Sequence, residues 1–201
     1  MAEFEKAQAL VGLSEGGYQN DPRDSGNYYQ GVLVGTNWGI AAPTLATYLG
    51  RAPSVNDMVN LTRETAELIL KTRYWTRHHL GSLKNQSVAN LIYDGIVNHG
   101  SNGMRMLTSK ALSAMKKPLE YYSTFTAEGI KHLNSLNQKR LFFALKKARA
   151  DKYRALNKPY YLKGWLNRLD RIKYFGDNSL SSIWPVIPII LVGILVIGFA
   201  I

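Results

Sequence analysis

Fourteen Asp and Glu residues are available for acid–base chemistry, and three of them, Glu15, Asp21 and Asp24, cluster along a short stretch. Phe4, Ala7, Leu10, Val11 and Ser14 recur at helical spacing, and Gly16-Gly17 ends the pattern. This predicts an amphipathic helix over residues 2–14 with Glu15 at its C-terminal end. The segment Asn20-Asp21-Pro22-Arg23-Asp24-Ser25-Gly26 that follows is dense in turn formers. A carboxyl against apolar helix surface has its neutral form favoured, which suits a proton donor, whereas a carboxyl in a polar loop stays ionised. Glycosidic cleavage needs both: an acid for the leaving oxygen and a carboxylate, or a water it holds, across the sugar ring. Glu15 and Asp24 fit those roles by residue type. Two acids at this spacing are also common on ordinary surfaces, so spacing alone does not select them.

Other chemistries find less support. His78, His79, His99 and His132 show no metal-ligand spacing, and adjacent His78 and His79 point to different helix faces. Ser14-Glu15-Gly16-Gly17 lacks the Gly-Lys-Ser/Thr of a phosphate loop, and no nucleophile elbow or dinucleotide fingerprint is present. The absence of cysteine excludes thiol nucleophiles, zinc–thiolate sites and a disulfide framework. No metal and no cofactor is expected.

The net charge of +11 is unevenly placed. Residues 1–70 hold 4 Lys/Arg against 8 Asp/Glu, and residues 139–173 hold 12 against 2. The basic segment has two readings, an anionic partner or a solvated helix face. No recognition motif supports nucleic acid as that partner. The N-terminus reads as lacking a secretory signal. The other end is an uncharged run of 19 residues, IWPVIPIILVGILVIGFAI, beginning at Ile183 and ending at Ile201. That is about the minimum for a membrane-spanning helix, with Trp184 suited to the interface.

Residues 27–39 hold Tyr28, Tyr29, Val32, Leu33 and Val34 between glycines and predict a small β-hairpin or ordered loop. From Pro43 onward the patterns are helical. Ser54-Val55-Asn56-Asp57 has capping-box form, and Thr62 heads a segment in which Ala66, Ile69, Leu70 and Tyr74 share a face. Further helices run through Val88–Ile96, Met104–Met115, Ile130–Leu136, Leu141–Ala148 and 160–172. Gly95 leaves room for a close neighbour.

Taken in order, the motifs resemble those of glycoside hydrolase family 108, the bacterial and phage N-acetylmuramidases. Ser14-Glu15-Gly16-Gly17-Tyr18, then Asn20-Asp21-Pro22-x-Asp24-x-Gly26, is similar to the family's opening, and Thr36-Asn37-Trp38-Gly39-Ile40 to the segment after it. Tyr74-Trp75 and the run VANLIYDGIVNHG at 88–100 look like later family motifs. Residues 141–170, closing in Lys163-Gly164-Trp165-Leu166-Asn167-Arg168, resemble the family's predicted peptidoglycan-binding region.

The resemblance implies a mainly α, lysozyme-like domain with a small β-hairpin beside the catalytic helix. It implies hydrolysis of the β-1,4 bond between N-acetylmuramic acid and N-acetylglucosamine in peptidoglycan glycan strands. Glu15 matches the family's catalytic glutamate. By analogy with phage lysozymes, Asp24 and Thr36 orient the attacking water or stabilise the cationic transition state. Tyr18 falls in the opening motif beside the sugar. The loop at 27–35, NYYQGVLVG, is several residues longer than the family's. It places Tyr28 and Tyr29 as candidates to stack on sugar rings, and it leaves open a protein that holds glycan without cutting it. Trp75 is a groove candidate or a buried structural tryptophan; Asp94 and Asn98, one turn apart, meet a cleft floor or cap a neighbouring helix. The expected layout is a catalytic domain over 1–120, a peptidoglycan-binding-like helical region over 121–176, a linker over 177–182 and a transmembrane tail over 183–201. The tail implies a bacterial envelope protein anchored in the inner membrane, with an endolysin or a phage- or secretion-associated assembly as its setting.

Overall fold

The computed structural model describes residues 1–11 and 17–176. They form two compact units, one built from Met1–Val11 with Leu70–Phe175, the other on residues 17–69.

The second unit carries the β structure. Residues 27–39 were expected to form one hairpin or loop; residues 28–41 form two hairpins in succession. Strand β1 (Tyr28–Tyr29) pairs antiparallel with β2 (Val32–Leu33), and β3 (Thr36–Asn37) with β4 (Ile40–Ala41). Each turn has two residues with positive φ, Gln30 and Gly31 in the first and Trp38 and Gly39 in the second. That is the backbone of a two-residue turn whose twist matches the strands it joins. Ala41 leads into α2 (Ala42–Leu49), with Pro43 in its first turn, where a missing N–H costs nothing. Gly50 closes it in the left-handed conformation. The expected capping box heads α3 (Val55–Val59): the Ser54 hydroxyl accepts from Asp57 N–H, and the Asp57 carboxylate accepts from Ser54 N–H. Thr62 Oγ1 accepts from Thr65 N–H at 3.2 Å at the start of α4 (Arg63–Leu70). Val34, Ile40, Leu45, Met58, Leu61 and Ile69 are among the buried apolar residues here.

The first unit is helical. Helix α1 (Phe4–Val11) packs on α5 (Gln86–Ala114), which also packs on α7 (Gln138–Ala155). A π-helical turn, Lys71–Trp75, continues α4 into short 3₁₀ turns. The two patterns read as separate helices around residue 100 are two arms of α5 meeting at Gly100, whose φ of 68° and ψ of 166° bend the chain. The bend brings Met104 onto Gly95: a Cβ there would lie 2.3 Å from Met104 Sδ. The space at Gly95 is thus used by the neighbouring arm. Helices α6 (Ala127–Ser135) and α8 (Pro159–Arg171) complete the unit.

Residues 121–175 lie in the same unit as residues 70–120, and in it α7 and α8 contribute cations to a carboxylate on α5, described below. Among the described residues no helix is long and apolar enough to cross a membrane. The expected span at 183–201 and the linker at 177–182 lie outside the described residues, as does Glu15.

Candidate active site

The loop that follows Glu15 is organised by one side chain the sequence did not single out. Gln19 forms a bridge with Thr36: Gln19 N–H donates to Thr36 O at 2.9 Å, and Thr36 N–H donates to Gln19 O at 2.8 Å. Two residues that exchange both bonds in this way direct their side chains to the same face. The Gln19 amide meanwhile uses its whole hydrogen-bonding capacity. Its Oε1 accepts from Asn27 Nδ2 at 2.9 Å and from Asp21 N–H at 3.0 Å. Its Nε2 donates to Asn27 Oδ1 at 3.0 Å and reaches Asp24 Oδ2 at 3.5 Å.

Asn27 is the buried counterpart. Its Nδ2 also donates to Asp21 O at 2.9 Å, and its carbonyl accepts from both Val34 N–H and Gly35 N–H. The segment from 19 to 36 is therefore closed on itself by two amide side chains. Gly35 completes the closure. With φ at +98°, it occupies a backbone region that favours glycine, and a Cβ there would lie 2.5 Å from the Tyr18 ring and 2.7 Å from Gln19 O. Tyr18 lies against that bare backbone.

Asp24 caps the 3₁₀ turn Ser25–Asn27, its Oδ1 accepting from Gly26 N–H at 2.9 Å. Among the described residues, its Oδ2 has only the long contact to Gln19, although the residue is buried. One oxygen is committed to structure, and the other has capacity for a water or a sugar hydroxyl. Asp21, in contrast, is held by Arg23: Nε and Nη2 donate to its two oxygens at 3.0 and 2.7 Å, and Arg23 N–H adds a third bond. Those hydrogen bonds lower its pKa to about 2. Tyr28 donates its hydroxyl to Pro22 O at 3.2 Å, and Tyr28 and Tyr29 are half-buried on β1.

The Thr36-Asn37-Trp38-Gly39-Ile40 motif has a positional logic. Buried Asn37 donates through Nδ2 to Met58 O at 2.8 Å and Val59 O at 3.3 Å, and Trp38 Nε1 donates to Leu61 O at 2.8 Å. Both side chains fasten the second hairpin to the end of α3, and thereby fix Thr36 one residue earlier.

The remaining candidates lie in the helical unit. Trp75 is buried, edge-on to Phe4 and Tyr93 at centroid distances of 5.9 and 5.6 Å. It joins a core aromatic cluster in which Tyr93 donates to Gln8. Asp94 is also buried. Arg149 Nη2 donates to its Oδ2 at 2.5 Å, while Arg168 Nε and Nη2 donate to its Oδ1 at 3.1 and 3.0 Å. The two guanidinium groups hold the Asp94 carboxyl below the usual range against the opposing effect of burial. Asn98 donates to Asp94's main-chain oxygen at 2.6 Å. Structural contacts thus occupy both side chains, an aromatic cluster for Trp75 and two guanidinium groups for Asp94. Trp165 stacks between Tyr153 and Tyr161, at 5.4 and 5.7 Å. Among the described residues, no group of three or more His, Asp or Glu side chains could hold a metal ion.

A mainly helical chain with small antiparallel hairpins and a carboxylate loop fits the lysozyme-like class expected from the sequence. Residues 9–100 match the model of the family Glycosyl hydrolase 108, which establishes the family resemblance over the segment that carries the motifs. Among solved structures, the chain is similar to one described as the structure of Brucella abortus SagA. The identity is 25%, the TM-score is 0.69, and the alignment covers 84% of this chain and 90% of that one. No curated protein sequence matches. These likenesses support a glycoside hydrolase of lysozyme-like type.

Proposed function

We propose that this protein is a muramidase that hydrolyses the β-1,4 bond between N-acetylmuramic acid and N-acetylglucosamine in peptidoglycan. The observation that carries this is the family match across residues 9–100, joined to a loop that ties Asp24 and Thr36 to one residue, Gln19. Glu15 protonates the leaving oxygen. Asp24, through Oδ2, and Thr36 orient the water or stabilise the positive charge developing on the sugar. Tyr18, Tyr28 and Tyr29 supply ring surface and hydroxyls for the glycan. The helical region at 121–176 adds affinity for the wall. The uncharged run at 183–201 anchors the chain in the bacterial inner membrane, where a larger assembly could receive it.

The test is release of new reducing ends from purified peptidoglycan by the detergent-solubilised full chain. Glu15→Gln is expected to lower the rate by roughly 10²–10⁴-fold, the usual contribution of a general acid. Equal glycan binding by both proteins with no new ends from either would instead identify a glycan-holding component without turnover. Recovery of all the protein in a membrane-free fraction would dispose of the anchor.

A further inference from the structure

We infer that Gln19 is a positioning residue of the site, coupling the Asp24 carboxylate to Thr36. The inference rests on the muramidase reading for its catalytic consequence, but its geometry stands independently. Gln19 contacts both residues by different means: its main chain exchanges two bonds with Thr36, and its side-chain N–H reaches Asp24 Oδ2 at 3.5 Å. The other three valences of the amide are taken by Asn27 and by Asp21 N–H, so its rotamer and its O/N orientation are fixed by partners on both sides. Asn27, fully buried, holds the far end of the same bracket and returns two bonds to the chain just before Thr36. A shift of Gln19 therefore moves Asp24 and Thr36 together.

The chemical type matters as much as the shape. An amide gives Asp24 a donor without adding charge. A carboxylate in its place would keep the two acceptor bonds, from Asn27 Nδ2 and Asp21 N–H. It would lose both donors and put a second negative group against Asp24 Oδ2, which favours protonation of the pair. Gln19→Glu is thus nearly isosteric yet electrostatically opposite, and Gln19→Ala removes the bracket altogether.

The experiment follows the Gly26 amide by NMR in the full detergent-solubilised chain, because that N–H is bonded to Asp24 Oδ1 and reports the carboxylate directly. In Gln19→Glu the acid titration midpoint sensed at Gly26 is expected to rise by about one pH unit relative to the parent. The acid limb of the activity profile should move with it. Gln19→Ala is expected to lower kcat by up to about 100-fold, the scale of a 1 Å misplacement, with KM within about threefold. Unmoved Gly26 midpoints, or kcat per folded molecule equal to the parent in both variants, would overturn the coupling. Failure of the muramidase reading is separate. It would appear as an inactive parent, or as full activity in Glu15→Gln and Asp24→Asn, and the Gly26 titration would still decide the role of Gln19. Should Gln19→Ala not fold, the near-isosteric Gln19→Glu carries the test alone.

Discussion

At the scale of single residues, the site loop depends on positions that carry no chemistry of their own. Gly35 is the sharpest case. Any side chain there meets both the Tyr18 ring and the Gln19 carbonyl, and it must also adopt φ near +98°. Gly35→Ala is expected to cost about 2 kcal/mol or more, read as a lower midpoint in urea denaturation. Gly31, also at positive φ but with open space around it, should tolerate alanine at a smaller cost, so the difference between the two variants isolates the steric part. Residue type made Asp24 and Thr36 legible as candidates, through the ordered motifs around them. Gln19 and Asn27 were not legible in that way. A glutamine and an asparagine in a polar loop read as ordinary surface residues, and their pairing exists only once the chain has closed across eight positions. Trp75 and Asp94 show the converse. Their types admitted more than one reading, and the burial of Trp75 and the ion pairs of Asp94 arise only in the folded chain.

At the scale of elements, helical periodicity located most helices, and the capping box at Ser54 and Asp57 located a helix start. The corner in α5 escaped because a glycine inside a helical pattern is ordinarily tolerated; its positive φ is a property of the fold. The double hairpin escaped for a related reason. Its turns are Gln30-Gly31 and Trp38-Gly39, not the Asn-Gly or Asp-Gly pairs that announce such turns. The union of α5, α7 and α8 through Asp94 has a measurable consequence. Asp94 balances two guanidinium groups, of which Arg149 is fully buried and Arg168 partly exposed. Removing the shared partner leaves a buried cation unpaired, which costs roughly 3–5 kcal/mol. Asp94→Ala should therefore lower stability by that order, and Arg168→Ala by roughly 1 kcal/mol, since Asp94 then keeps its stronger partner. Equal losses in denaturation would show that the pairing with Arg149 adds nothing to that with Arg168.

At the scale of the whole molecule, acid should act in two windows through different groups. Burial holds His78 and His99 neutral, with pKa values lowered to about 4 and about 3. His78 bonds through Nε2 to Ser101 Oγ at 2.7 Å and lies edge-on to Phe125; His99 packs on Tyr153. Cations add to the effect, Arg105 and Arg77 near His78 and Arg149 and Lys152 near His99. A histidine whose folded pKa is depressed takes up its proton on unfolding, so its contribution is present above the unfolded value near 6.5 and is lost as pH falls toward the folded one. For His78 that is at most about 3 kcal/mol. The carboxyl of Asp94 is also depressed, so its stabilisation is lost in a lower window, below the ordinary aspartate range. The melting temperature is therefore expected to fall from pH 7 to pH 4 before the Asp94 pairs are titrated. His78→Gln, which cannot take up a proton, should flatten the slope in the upper window and leave the lower one unchanged. Parallel curves for the two proteins between pH 7 and 4 would mean that His78 does not contribute to the upper transition.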